Sequence, residues 1–217
     1  MRTLHLRRIG RTRYADAHAL QQQLLAARLA GMAGDTLLLT EHESVVTLGR
    51  GSPRGAQGNT ALPVVEVERG GEATWHGPGQ VVAYPIVLLP EGRRDLHRYL
   101  RDLEEVVIGA LSDFGVEGTR VEGKTGVWTG GLKVCSIGVA VRRWVTWHGL
   151  ALNVDNDLAD FRAFAPCGLD PNVMTRLVDH APKATMGSVE RALVAHCARV
   201  LAYDAVDEGG PDATVRT

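Results

Sequence analysis

Apolar positions along the chain switch between a two-residue and a three-to-four-residue spacing. Residues 3–9 alternate as a short strand. Residues 14–32 are spaced helically, with Leu20, Leu24 and Ala27 on one face and Gly31 and Gly34 beyond the end. Four β-branched or apolar runs then read as strands: D-T-L-L-L-T from 35, V-V-T-L-G-R from 45, P-V-V-E-V-E from 63 and Q-V-V-A-Y-P-I-V-L-L from 80. The glycine-rich R-G-G-E-A-T-W-H-G-P-G-Q, residues 69–80, reads as the link between the last two.

The clearest helix spans 95–114, where Leu96, Leu100, Leu103, Val107, Ala110 and Phe114 recur at three and four residues and Gly115 supplies the stop. After it, G-V-W-T-G-G-L-K-V-C-S-I-G-V-A-V reads as two strands around a T-G-G turn, and V-T-W-H-G-L-A-L-N-V as a third. A last helix is expected over 188–205. Strands outnumber helices, neighbouring strands are joined by short turns, and the two best helices are amphipathic on one side. This predicts an α/β (α+β) fold, a mixed sheet with helices mainly on one face. The expected organisation is a single catalytic domain over 1–206 and a polar, disordered tail over 207–217.

The 217 residues suit one domain, and 24 Lys plus Arg against 25 Asp plus Glu leave a net charge of −1. No global field therefore draws the chain to nucleic acid or membrane, and any charged partner must meet a local patch. The amino terminus lacks an apolar core of signal length, and the longest apolar run is far short of the ~20 residues a membrane helix needs. A cytoplasmic monomer is expected, and the three cysteines, Cys135, Cys167 and Cys197, read as reduced thiols.

G-T-R-V-E-G-K-T, residues 118–125, matches the phosphate-loop pattern letter for letter. Its context fails, because a valine-containing strand lies between the glycines and a turn sequence, not a helix, follows. Among the thiols, Cys197 falls on the apolar stripe of the last helix and Cys135 in an alternating strand. Cys167, between Pro166 and Gly168, belongs to no apolar period, and shaped loops of this kind often present nucleophiles. An unperturbed thiol of pKa ~8.5 is only about 3% ionised at pH 7, so a reactive Cys167 needs a neighbouring cation or base. A cation ~4 Å away in a medium of effective dielectric ~20 contributes about 4 kcal/mol, enough to lower that pKa by up to ~3 units. The candidates are Lys133, one of only three lysines, and the histidines of the repeated T-W-H-G, His76 and His148. Those histidines fit a pocket, a turn or core role, or a Cys-His-His metal set with Cys167, although no C-x-x-C or H-x-x-x-H spacing supports the last.

Taken in order, R-G-G-E-A-T-W-H-G-P-G-Q, G-V-W-T-G-G-L-K-V-C-S-I-G-V, T-W-H-G-L-A-L-N-V and P-C-G resemble the bacterial octanoyltransferases of lipoate biosynthesis, the lipoyl(octanoyl) transferase family, from about residue 37 to 168. The resemblance implies the fold of the lipoate and biotin protein ligase catalytic domains. It also implies transfer of an octanoyl group from acyl carrier protein, through a cysteine thioester, to a lysine of a lipoyl domain of a 2-oxo acid dehydrogenase or of the glycine cleavage H protein. By residue matching, Cys167 and Lys133 are the catalytic pair. Arg69, Gly70, Gly71, Glu72, Ala73, Thr74, Trp75 and His76, with Ser136, Ile137, Gly138, Gly149, Leu150 and Ala151, line the acyl pocket. Thioester exchange followed by amide formation is downhill, so no cofactor, ATP or metal is expected. Lys124 departs from the family pattern, and Arg142 with Arg143 or Arg93 with Arg94 could offer the acidic carrier protein a basic patch. The rival readings are an ATP-dependent lipoate or biotin ligase of this fold and a binding module with an inert Cys167.

Overall fold

A computed structural model describes residues 1–163 and 173–209. Eleven strands and three α-helices are found among these residues. They follow the order β1 (Thr3–Thr12), α1 (Tyr14–Leu29), β2 (Asp35–His42), β3 (Val45–Leu48), β4 (Val64–Glu66), β5 (Ala73–His76), β6 (Gln80–Ile86), α2 (Leu96–Ser112), β7 (Thr119–Val121), β8 (Lys124–Thr129), β9 (Leu132–Arg142), β10 (Val145–Asn153), α3 (Met186–Val200) and β11 (Ala205–Asp207). Eight strands form one sheet in the order β11-β1-β2-β6-β10-β9-β8-β7, and β4-β3-β5 form a second. The large sheet is mixed: β1 runs parallel to β2 and β11, and the remaining pairs are antiparallel.

Central strands such as β2 are apolar at successive positions because both faces of the sheet are covered. Leu37, Leu39, Val81 and Ala83 pack with Leu103 and Val107 of α2 and Val189 and Leu193 of α3. The alternate residues Leu38, Val82, Tyr84 and Ile86 meet Leu25 of α1 on the other side. Two of the three helices thus share one face, and α1 lies on the opposite one.

The helix faces are offset from the expected stripes. In α1 the buried positions are Tyr14, Ala17, Gln21 and Leu25, with Leu20 and Leu24 on the flank. Gln21 can be buried because its Oε1 accepts the backbone N–H of His148 at 2.9 Å. In α2 the stripe is Tyr99, Leu103, Val106, Val107, Ala110 and Leu111, while Leu96 is 42% exposed. Asp95 caps α2 by accepting from Arg98 N at 3.1 Å, and Thr185 and Ser188 cap α3 reciprocally.

Two elements differ from the expectations, and the rejected phosphate loop is seen for what it is. Residues 73–76, expected in a link, form strand β5 against β3. Helix α3 ends at Val200, and the chain then returns as β11 beside β1, so the first tail residue, 207, is hydrogen-bonded sheet. The phosphate-loop lookalike is the β7–β8 hairpin, with Val121 paired to Lys124, which removes the strand-to-helix geometry a phosphate cradle requires. Among the described residues no helix is long and apolar enough to cross a membrane.

Candidate active site

The two triads singled out in the sequence are cross-strand partners: Gly138 faces Gly149, Ile137 faces Leu150 and Ser136 faces Ala151 across β9 and β10. Above this patch lies a cavity of about 260 Å³, just below the ~300–1,000 Å³ usual for ligand pockets. Its other walls come from Tyr14 of α1, Arg69, Gly71 and Glu72, Thr74 and His76 of β5, Tyr84 of β6, Lys133 and His148, and Gly123, Lys124 and Thr125 of the β7–β8 hairpin. Glycine is needed where the backbones close in. A Cβ on Gly149 would sit 2.1 Å from Ala83 O, and one on Gly138 would sit 2.9 Å from Gly70 O.

Arg69 holds the glycine-rich segment in place. Its buried guanidinium donates to Glu72 O at 2.8 Å, Gly70 O at 3.2 Å, Thr47 O at 3.0 Å and Thr47 Oγ1 at 2.8 Å. Bonds of this charged kind contribute about 1.5–3 kcal/mol each. Gly70 N–H donates to Val139 O at 2.9 Å, which ties the segment to β9. The period-two geometry of β5 splits its residues. Thr74 and His76 border the cavity, whereas Ala73 and Trp75 face away and pack with Val46, Phe161 and Met174. Ala73, Trp75 and Gly70 therefore do not line the cavity as the sequence reading expected, and Gly70 contributes backbone only.

The cavity's aromatic side is a cluster of imidazoles and phenols. Tyr14 stacks on His76 at 6.1 Å and lies 5.2 Å from His42, and Tyr84 meets His148 edge-on at 6.4 Å. The Tyr84 hydroxyl donates to His42 Nε2 at 2.7 Å, because His42 Nδ1–H points to Thr12 O. Burial lowers the His42 pKa to about 4. Burial, with the charges of His42 and Arg69 adding to it, holds His76 well below its ordinary value. His76 is thus neutral, with its Nδ1–H donating to Gln80 Oε1 at 3.3 Å. Gln80 Nε2 donates to Asn153 Oδ1 at 2.8 Å, and Asn153 Nδ2 to Thr175 O at 2.9 Å, so a buried polar chain runs from His76 to the segment beside Lys133.

Lys133 is 4% exposed, whereas Lys124 and Lys183 are exposed. Its Nζ lies 5.3 Å from the centre of the Trp128 ring. Thr175 N–H donates to Lys133 O at 3.0 Å, and Met174 bridges Lys133 in parallel. Cys167 lies outside the described residues. The described chain on either side of that segment is anchored near by: Phe161 packs edge-on against Trp75 at 5.2 Å, on the face of β5 away from the cavity, and Met174 is on Lys133. The other two thiols are sealed in the core, and burial pushes both Cys135 and Cys197 up to about 12. A buried thiol of that pKa is no nucleophile near neutrality.

The structure brings together Lys133, both triads, Arg69, Gly71, Glu72, Thr74, and the two T-W-H-G histidines His76 and His148. Tyr14, Tyr84 and the Gly123–Thr125 tip also reach the cavity. Tyr84 carried a usable signal, as a polar-tipped aromatic in an otherwise apolar strand, whereas Tyr14 looked like an ordinary first-turn helix residue. Of the two arginine pairs, Arg93 is engaged by Asp102 and Val200 O, each at 3.0 Å, while Arg142 and Arg143 stay exposed on the β9–β10 turn beside Trp144.

This architecture is shared with proteins of known type. Residues 13–198 match the family described as the lipoyl protein ligase A/B catalytic domain. An octanoyltransferase from Geobacter sulfurreducens is 50% identical over 92% of this chain and 85% of its own. Among solved structures, a bi-partite lipoate protein ligase from Thermoplasma acidophilum superposes with a TM-score of 0.73 at 16% identity, covering 99% of this chain and 87% of that one. The Aquifex aeolicus biotin protein ligase gives a TM-score of 0.52 at 14% identity, covering 93% and 70%. With the family match spanning most of the chain, and with relatives of this identity covering nearly all of it, the chain belongs to the lipoyl protein ligase A/B catalytic domain family.

Proposed function

We infer that the cavity is the acyl site of an octanoyltransferase. The enzyme is an acyltransferase that places octanoyl groups on proteins in lipoate biosynthesis, as the names of relatives 41–52% identical over most of the chain support. Its donor and acceptor classes are acyl carrier protein and lipoyl domains. As specific acceptors we propose the lipoyl domains of 2-oxo acid dehydrogenases and the glycine cleavage H protein.

The observation that carries the mechanism is a buried lysine at the rim of a small, largely apolar cavity. In the proposed cycle the Cys167 thiol passes its proton to Lys133, and the thiolate attacks the octanoyl thioester carbonyl. The carrier's sulfur leaves and takes the proton from the Lys133 ammonium, which gives octanoyl-Cys167 and a neutral amine at Lys133. The acceptor lysine amine then attacks the new thioester, Lys133 removes the extra proton from nitrogen and returns it to the departing Cys167 sulfur. Arginine cannot replace Lys133 in this cycle, since it does not release its proton. The inertness of Cys135 and Cys197 supports Cys167 as the nucleophile. Ile137, Leu150 and Ala151 suit an alkyl chain, and no nucleotide or metal enters either step.

Incubation of the purified protein with octanoyl acyl carrier protein, without ATP, should add one octanoyl mass that hydroxylamine removes and that maps to Cys167. No adduct without ATP, together with octanoylation of a lipoyl domain only when ATP and free octanoate are supplied, would establish the ligase reading instead.

A further inference from the structure

On the α1 side of His148, side chains from three separate elements converge: His18 of α1, Glu68 in the turn before Arg69, and His148 of β10. One donor atom from each lies within 4.8 Å of the other two. His18 Nε2 is 3.0 Å from Glu68 Oε2, and His148 Nε2 is 3.6 Å from the same oxygen. A tetrahedral ion ~2.0–2.2 Å from nitrogen and oxygen donors needs donor-to-donor edges of roughly 3.4 Å. Those two edges already bracket that value.

His148 makes this more than a chance cluster. Its side chain is 1% exposed, yet its Nε2 has no hydrogen-bond partner, a costly condition for a buried nitrogen. The 3.6 Å gap to Glu68 is too long for a hydrogen bond. A lone pair on a ring this deeply buried is available to a cation. The ring is also fixed. Its backbone N–H is held by Gln21, Trp147 and His18 stack against it at 4.4 and 5.7 Å, and its φ of 56° is a left-handed conformation that only a demanding environment sustains. Glu68, with its side chain 47% exposed, opens the cluster to solvent.

The geometry points to a site for a late first-row divalent cation of the Zn²⁺ class, held by two imidazole nitrogens from His18 and His148 and one carboxylate oxygen from Glu68, with water as the fourth ligand. Imidazole donors favour such ions over Mg²⁺ or Ca²⁺. On binding, the single imidazole proton of His18, now on Nε2 and shared with Glu68, moves to Nδ1 and leaves the Nε2 lone pair free to ligate. Because Glu68 precedes Arg69 and His148 lines the cavity, the ion would join α1, the Arg69 segment and β10, three walls of the acyl site. It takes no part in the acyl transfer, and the proposal stands whether or not that reading holds.

Equilibrium dialysis of the full chain against ZnSO₄, with competition by a chromogenic chelator, tests the site. One Zn²⁺ per chain is expected in the wild type and in Cys167→Ser. In His18→Ala and in the near-isosteric Glu68→Gln the affinity should fall by more than the roughly 10- to 100-fold that outer-shell changes cost, with the metal-free circular dichroism unchanged in at least one of them. Sub-stoichiometric binding to the wild type, or Glu68→Gln and His18→Ala affinities within about tenfold of it, would overturn the assignment. So would binding that Cys167→Ser abolishes and His18→Ala retains, since the ion would then sit on the thiol.

Discussion

Gly149→Ala tests the close approach of β10 to β6 that shapes the cavity floor. Gly149 does not need a left-handed backbone, so the whole penalty comes from contact. The added methyl would lie 2.1 Å from Ala83 O and 2.8 Å from Pro85 Cδ, about 1.3 Å inside ordinary contact with a backbone atom that cannot rotate away. Relief requires β10 to move off β6 next to the Leu150–Ala83 pair. Overpacking of this kind costs about 1–3 kcal/mol, and weakening an adjacent ladder bond adds about 1 kcal/mol. At 2–4 °C per kcal/mol for a chain of this size, Tm should fall by roughly 5–15 °C. Gly92→Ala is the matched control: its methyl meets nothing within 4 Å, and its φ is not positive. The loss of unfolded-state freedom should make it neutral or more stable by up to about 1 kcal/mol. Both variants are measured by urea unfolding and by calorimetry. A Gly149→Ala protein as stable as Gly92→Ala would refute the packing assigned to β6 and β10.

Lys133→Arg should fold, with far-UV circular dichroism unchanged, and lose about 10²- to 10⁴-fold in turnover, because charge survives while proton transfer does not. Turnover near wild type would leave Lys133 an electrostatic role only. Stability should also fall in mild acid. Burial depresses His42 from 6.5 to about 4, so between those values the unfolded chain binds a proton the folded chain refuses. The contribution is present above pH 6.5, is lost as pH drops toward 4, and amounts to about 3 kcal/mol. His42→Gln should flatten that part of the urea-midpoint profile against pH, and an unchanged profile would rule out His42 as its source.

Most of the frame was legible in the sequence because burial on both faces leaves unbroken apolar runs such as Leu37–Leu38–Leu39, and because α2 repeats its apolar residues at helical spacing. The stripe of α1 was misplaced for a physical reason. Its buried face carries Gln21, which is inside only because His148 N–H meets it across 127 positions, a partner no local window contains. Strand β5 was hidden by its glycines, since A-T-W-H gains strand character from pairing with β3. Trp75 and His76 were grouped as one wall, although a strand must send neighbours to opposite faces. The cross-strand triads could be matched as motifs, but their register could not be read without the T-G-G and β9–β10 turns in three dimensions. Tyr14 reaches the cavity only because α1 crosses the sheet there.

The fastening of Met174 to Lys133 acts as a tether. Cys167 stands seven positions before Met174 and six after Phe161, and a fully extended chain covers at most ~3.6 Å per residue. Seven residues of chain keep the Cys167 backbone within about 25 Å of that of Met174, on Lys133, and tethers of this length sustain effective concentrations in the millimolar range. In the proposed cycle the encounter between sulfur and amine is thereby intramolecular before any acyl donor arrives.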